Sequence, residues 1–523
     1  MKKRKIFAAF LAGALTVTAT VSPVLAESYP DIEKKAFASF VSDFVEEYQA
    51  YFDTAIAEPN YQNTLNSADL SLQIGETGRA LLGMAMGIDT SWADNIGIRY
   101  QFQLEDNNYA ILADYYLNDS TICTMEIYYD MQTQLMHMRV PELSPDYLKV
   151  DLANMDATYA DVTDTYTTSI LSDAYYDFFS DPFSYYPEPS EMEELLNRYS
   201  TILFDHLPET YQGEEVLSVE GIEQNCTVYE AELREANALP MLKSMLQTAK
   251  EDQELKKIVE LSAIFSEESE NVYTDFLTSI DELLEELNAT TEEDMTSTSY
   301  FTSTIWVDEN GNLAGRRISM IEDMEEIPLF TWQNPSNGTE CATFLEINSD
   351  TSFALLGTGT WNDSMLSGTY EFLVDYVPVV SIEVTDYEKD SLNGSWTFSP
   401  LPGIGEEDYA SFSSLALKLS TEISEDWMDF TTHFDLLTSG ALLGGISLSI
   451  TSDDSISIPE MDTSKNIYDI NSEEEISAYS ENLSEDSLDF LFENLAEAGV
   501  SEETISQILS LFSESTTSLE SVA

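Results

Sequence analysis

Apolar side chains recur at three- and four-residue steps between Ile32 and Ala57. Phe37, Phe40, Val41, Phe44, Tyr48 and Phe52 form one stripe there, and this spacing predicts an amphipathic helix. A short strand (Leu70–Ile74) and a short helix (Gly78–Met86) are expected next. The period then switches to two. Ile96, Ile98, Tyr100, Phe102 and Leu104 alternate with Gly97, Arg99, Gln101, Gln103 and Glu105, and Tyr109–Leu117, Ile122–Tyr129 and Leu135–Val140 continue the alternation after short Asn- and Asp-rich turns. Such runs predict an antiparallel meander. The alternation also predicts that Tyr100, Phe102 and Leu104 face a buried core, with Gln101 and Gln103 on the outside.

Pro141 ends this meander, and Pro145 is expected to open a helical turn through Tyr147. The segment 155–166 reads as a polar loop and 169–180 as a Tyr- and Phe-rich helix. Ser190 and Glu193 are spaced as a capping box for a helix carrying Leu195, Leu196, Tyr199 and Leu203. A hairpin (216–219 with 224–234) and helices over 236–250, 253–264 and 270–287 follow. From Ser299 to Thr451 the pattern predicts strand after strand.

The last segment, Asn466–Ala523, has no basic residue but is patterned. Leu488, Leu491, Phe492 and Leu495 form one helical stripe, and Ile505, Ile508, Leu509 and Phe512 form another, with Gly499 between them. These stripes predict an αα-hairpin that docks on the body of the protein.

The expected fold class is α+β. It comprises a large curved antiparallel sheet of two meanders, with an unclosed barrel as one form it can take, helices packed on one face, and the C-terminal αα-hairpin. The expected organisation is a signal peptide (1–26), an N-terminal half (27–290), a C-terminal meander (291–465) and an acidic helical tail (466–523).

The leader carries Lys2, Lys3, Arg4 and Lys5, an apolar run from Ile6 to Thr20, and Val24-Leu25-Ala26 before Glu27. This is the arrangement of a secretory signal peptide cleaved after Ala26, so the expected location is extracellular with no membrane anchor. Cys123, Cys226 and Cys341 are odd in number and far apart, which predicts buried free thiols rather than a disulfide framework. The 97 acidic residues against 21 basic ones give a net charge of −76. A phosphate backbone needs a Lys/Arg patch, so nucleic acid is excluded as a partner. A loose atmosphere of divalent cations around the acidic surface is expected instead.

No motif marks a catalytic centre or a cofactor. His137, His206 and His433 stand alone, outside any metal-binding spacing, and there is neither a nucleophile elbow nor a phosphate loop. Asp308, Asn310 and Asn312 mimic the first calcium-loop ligands. Leu313 stands where such a loop needs Gly and Ser319 where it needs Glu, so a hairpin turn is predicted. Carboxylates are too abundant for any pair to be informative. Arg79, Arg99, Arg139, Arg234, Arg316 and Arg317 lie in or beside strands and turns, where structural ion pairs are expected. No catalytic residue, cofactor or metal ligand is therefore assigned, and the chain is expected not to be an enzyme.

Ser91-Trp92, Tyr128-Tyr129-Asp130, the run Val140-Pro141-Glu142-Leu143-Ser144-Pro145-Asp146-Tyr147-Leu148 and Glu223-Gln224-Asn225-Cys226-Thr227-Val228-Tyr229-Glu230 give the chain a recognisable cast. It resembles an uncharacterised family of secreted and lipoprotein-type surface proteins of Gram-positive gut bacteria. At the level of fold it is similar to the lipoprotein-carrier fold, an unclosed β-barrel whose apolar face holds acyl chains under a helical lid. That similarity implies a non-enzymatic carrier or sensor of an apolar or amphiphilic ligand at the cell surface.

Strands apolar on both faces point the same way, and Trp306, Phe353, Leu355 and Trp361 are the candidate ligand contacts. The alternative is an acidic protein–protein interaction module that meets a basic partner surface without a ligand cavity.

Overall fold

The computed structural model describes residues 28–52, 66–105, 108–130, 132–152, 186–264, 272–289, 298–389, 391–424, 429–452, 458–483 and 489–507. The expected leader, the loop over 155–166 and the helix over 169–180 lie outside them, as do Leu488, Ile508, Leu509 and Phe512 of the tail stripes.

In chain order, α1 (Tyr29–Tyr51) precedes β1 (Asn66–Ile74) and α2 (Glu76–Met86). Then come β2 (Asn95–Glu105), β3 (Asn108–Leu117), β4 (Ser120–Asp130), β5 (Leu135–Arg139) and β6 (Tyr147–Asp151). Helix α3 (Pro189–Asp205) leads to β7 (Glu209–Val219) and β8 (Ile222–Leu233), and α4 (Glu235–Glu251), α5 (Gln253–Ile264) and α6 (Val272–Ala289) follow. The long β region holds β9 (Tyr300–Val307), β10 (Leu313–Glu322), β11 (Glu325–Gln333), β12 (Ser336–Asn337), β13 (Glu340–Asn348), β14 (Ser352–Asn362), β15 (Met365–Val374), β16 (Val377–Glu388) and β17 (Gly394–Pro400). After α7 (Glu406–Phe412) come β18 (Leu415–Ile423), β19 (Phe430–Thr438), β20 (Ala441–Ser452), β21 (Ile467–Asp469), α8 (Glu473–Asn482) and α9 (Asp489–Glu497). The fold is α+β with mostly antiparallel meanders, as the periodicity predicts.

The chain divides into two compact units. One takes Met1–Pro59, Thr165–Asp363 and Gly368–Val379, and the other takes Asn60–Asp164, Ser364–Ser367 and Val380–Ala523. Both of the stretches expected as successive halves, 27–290 and 291–465, therefore contribute to both units. The cause is β1, which pairs with β2 on one side and with β20 on the other.

In the first unit, β8, β9, β10, β11, β13 and β14 are successive antiparallel neighbours, with β7 beyond β8. Helix α1 lies on one face of this sheet. Tyr29, Ile32 and Ala36 pack with Ile305, Ile318 and Phe330, and Leu203 and Phe204 of α3 and Met241 of α4 complete the core. Within this apolar layer sits one charged pair: Arg316 of β10 is 1 % exposed and Glu33 of α1 is 0 % exposed. They form two parallel bonds, Nη1 to Oε1 at 2.5 Å and Nη2 to Oε2 at 2.6 Å. Burial, and next the Glu33 carboxylate, push the phenol of neighbouring Tyr29 up, so it stays protonated and donates to Ser303 Oγ at 2.7 Å.

Two local expectations are corrected. Helix α3 starts earlier than predicted, with Pro189 in its first turn, so the capping box is Glu188 with Glu191 rather than Ser190 with Glu193. No helical turn follows Pro145; residues from Tyr147 enter β6, where Tyr147 is buried beneath the Arg139 guanidinium, 4.6 Å from its ring centroid.

In the second unit the neighbour order is β16, β17, β18, β19, β20, β1, β2, β3, β4, β5, β6, with β21 added in parallel to β6. The acidic tail docks here through the predicted stripes. Leu491, Phe492, Leu495 and Ile505 pack with Leu117 and Ile122 at the β3–β4 end. Asn494 Nδ2 and Asn118 Nδ2 hold it by donating to Ile122 O at 2.8 Å and Ala498 O at 2.9 Å. Gly499, at φ +97°, ends α9 where predicted.

Candidate functional site

The second sheet has two chemically opposite faces. Directly opposed residues of antiparallel strands share a face, so the register lists each face row by row. One row runs Leu419, Phe434, Ile446, Leu72, Ile96, Leu117 across β18, β19, β20, β1, β2 and β3. Two residues along lies a second row on the same face, Thr421, Thr432, Leu448, Leu70, Ile98 and Tyr115, which is uncharged and in which Thr432 is buried. The intervening row, Ser420, His433, Ser447, Ser71, Gly97, Tyr116, belongs to the opposite face. Every charged residue of β18, β19, β20, β1 and β2 whose side chain is described follows that polar parity: Lys418, Glu422, Asp435, Asp69 and Arg99.

Burial runs opposite to the expected direction. Ile446 is 51 % and Leu72 44 % exposed, whereas Ser447 is 8 % and Ser71 7 % exposed. Tyr100, expected in a core, is likewise exposed, and the side chain of Leu104 lies outside what the structure describes.

The polar face is held together by its own hydrogen bonds. Tyr116 donates to Asp69 at 2.5 Å, Arg99 bonds Asp69 at 3.3 Å and lies over the Tyr116 ring, and Thr431 pairs with Ser449 at 2.9 Å. Gly97 makes this layer possible, because a Cβ there would sit 2.5 Å from the Tyr116 hydroxyl and ring. Buried polar groups are tolerated when partnered in this way.

An exposed large apolar face is the informative case in a sheet, since a solvated antiparallel face is ordinarily the polar one. Helix α2 adjoins it. Gly75 and Gly78 let α2 approach the Leu442 and Leu443 carbonyls, and a Cβ on Gly78 would also touch Ile74 of the apolar face. The same helix exposes Leu81, Leu82, Met84 and Met86. At the β3 end, the docked tail covers Leu117, while its row neighbour Ile96 stays exposed. The exposed face therefore has a helix at one margin and the tail at another.

The predicted ligand contacts are elsewhere, in the first unit, and are not brought together. Trp306 is buried among Leu217, Cys226, Val228 and Ala314, and its indole N–H donates to Glu215 at 3.0 Å. Phe353 and Leu355 lie on the other face of that sheet, Phe353 stacked on Phe372 with centroids 6.2 Å apart and Leu355 opposite Leu345. Trp361 lines a separate polar cleft. The residues missed, Leu70, Leu72, Ile96, Phe434 and Ile446, carry the plainest alternation in their strands; what the pattern lacks is any mark of which face is covered.

The remaining candidates are structural. Arg79, Arg99, Arg139, Arg234, Arg316 and Arg317 all pair with carboxylates. Asp308 closes the β9–β10 turn by accepting from the Asn310 and Asn312 amides. His206 caps α3 through a 2.7 Å contact with Ile202 O. Among the described residues no cluster of three or more His, Cys, Asp or Glu side chains could hold a metal ion, and no helix is long and apolar enough to cross a membrane.

The three cysteines are free, with Cys226 and Cys341 buried. Burial, and next Asp308 and Glu215, push the Cys226 thiol up to about 12, and burial raises the other two. A raised pKa keeps the thiol protonated at neutral pH, and the thiolate is the nucleophile. Thiol-specific reagents at neutral pH are therefore expected to label the native protein slowly and all three sites rapidly after denaturation, as counted by mass spectrometry.

No family model, curated protein or solved structure matches this chain.

Proposed function

We propose that this is a secreted, non-enzymatic protein whose second unit carries an apolar or amphiphilic ligand on the exposed sheet face. The observation behind this is the segregation of charge. Five adjacent strands place every described charged side chain on one face and leave the other uncharged, with Leu70, Leu72, Ile96, Phe434 and Ile446 open to solvent. Covering such a face is favourable by ~25 cal/mol per Å² of apolar surface removed from water.

The ligand is neutral or cationic. No basic side chain stands on the apolar rows to meet an anionic headgroup, and the chain's charge of −76 repels one. Met84 and Met86 on α2 supply flexible, polarizable contacts suited to acyl chains of varied shape. The leader supports delivery of the protein to the outside of the cell, where such ligands are exchanged.

The second reading, an acidic interaction module, draws on the same face, because a sheet face this open also suits a flat partner. Organic extraction of protein purified from its native secretion route, followed by mass spectrometry, separates the two. A stoichiometric neutral or cationic amphiphile supports the carrier. Ligand-free protein that captures a basic polypeptide through the same face supports the module.

A further inference from the structure

The first unit contains a cleft of about 560 Å³, within the ~300–1,000 Å³ span of small-molecule sites. Its walls come from the β9–β10 turn (Asp308, Asn312), from β8 (Gln224), from Asn334 and the β12–β13 turn, and from Trp361 and Asp363 at the end of β14. Gly338-Thr339 makes that turn as a tight two-residue hairpin, closed by the Asn337–Glu340 pair, with Gly338 at φ +68°.

The polar side chains are fixed before any ligand arrives. Asp308 Oδ1 accepts from the Asn310 and Asn312 amides at 2.9 and 2.7 Å, and its Oδ2 accepts from Asn312 Nδ2 at 3.2 Å. Gln224 Oε1 accepts from Ser336 N at 3.0 Å, which turns its Nε2 toward Asp308. Asn334 Oδ1 accepts from Thr343 at 2.9 Å, so its two N–H donors are the part left for the cleft. The Trp361 backbone N–H donates to Thr339 O at 2.8 Å, which ties the end of β14 to the β12–β13 turn beside the cleft.

The lining contains no Lys, Arg or His, so an anion finds no counter-charge. The Asp308 oxygens already accept these amide donors, which leaves them poor ligands for a metal ion. Oriented amide donors and acceptors, a carboxylate at Asp363 and an indole face suit a ring with hydroxyls on its rim and C–H groups on its face. We propose that this cleft binds a neutral carbohydrate, with a sugar ring packed on Trp361 and its hydroxyls bonded by Asn334, Asn312 and Asp363. This site is independent of the apolar face of the second unit.

The test is a neutral-glycan array probed with the full chain lacking its leader, followed by calorimetric titration with the best-binding oligosaccharide. Saturable binding is expected, weakened roughly tenfold by Trp361→Ala and retained by Trp361→Phe. Amphiphile binding should be unchanged in both variants. Should Trp361→Ala fail to fold, Asn334→Ala is expected to give a comparable loss. Absence of saturable glycan binding overturns the proposal. So does full-strength binding by folded Trp361→Ala, or a one-to-one calcium titration without sugar binding.

Discussion

Replacing Glu33 with alanine is expected to destabilise the first unit by about 3–5 kcal/mol, because it strands the Arg316 guanidinium in an apolar layer. The pair joins α1 to β10 through two short bonds, with Tyr29 and Ser303 alongside. Removing one partner leaves an uncompensated charge where Ile305 and Ile318 offer it nothing. Replacing both partners with apolar residues, as in Glu33→Leu with Arg316→Met, is expected to recover most of the loss, since a well-packed apolar pair avoids desolvating either charge. Chemical denaturation of the single and double variants measures this. Equal losses in the single variants and the double variant would show that packing by these side chains, and not their charge, holds α1 on the sheet.

The second large effect is a reversal of the usual rule for sheets. Leu72→Ser and Ile446→Thr are expected to leave stability within about 0.5 kcal/mol, because both side chains already face solvent. Ser71→Leu and Ser447→Leu, one residue away, are expected to cost ~1–3 kcal/mol by forcing volume into a filled, hydrogen-bonded layer. In an ordinary amphipathic strand the ranking would be the other way round. Thermal unfolding of the four variants decides it, and a larger loss at Leu72 than at Ser71 would place the core on the apolar face.

That reversal marks the boundary of what the sequence makes legible. The sequence Ile446-Ser447-Leu448-Ser449-Ile450 announces a strand with two faces, and the register follows from its neighbours. Alternation alone does not say which face meets protein and which meets water, because that depends on elements far away in the chain. Pattern alone puts Tyr100 and Phe102 in a core; Phe102 is half-buried against Tyr109, whereas Tyr100 is exposed and the Gly97–Tyr116–Asp69 layer fills the opposite face. The tail was legible because Leu491, Phe492, Leu495 and Ile505 are too apolar to face water on short helices.

The Arg316–Glu33 pair was foreseeable as an ion pair but not in its partner, 283 residues away. Trp306, Phe353, Leu355 and Trp361 are not brought together for a related reason. Strands of the first unit carry apolar side chains on both faces because each face has its own cluster, one beneath α1 and one around Cys226.

The central claim, that the apolar face of the second unit receives an amphiphile, is tested most directly by titrating a neutral fluorescent acyl-chain probe. The titration compares the native sequence with the double variant Leu72→Asp/Ile446→Asp. The native protein is expected to bind saturably, and the folded double variant to bind at least roughly tenfold more weakly, because two charges then stand where an acyl chain would lie. Equal binding by the two proteins, or none by the native protein after delipidation, would contradict the account.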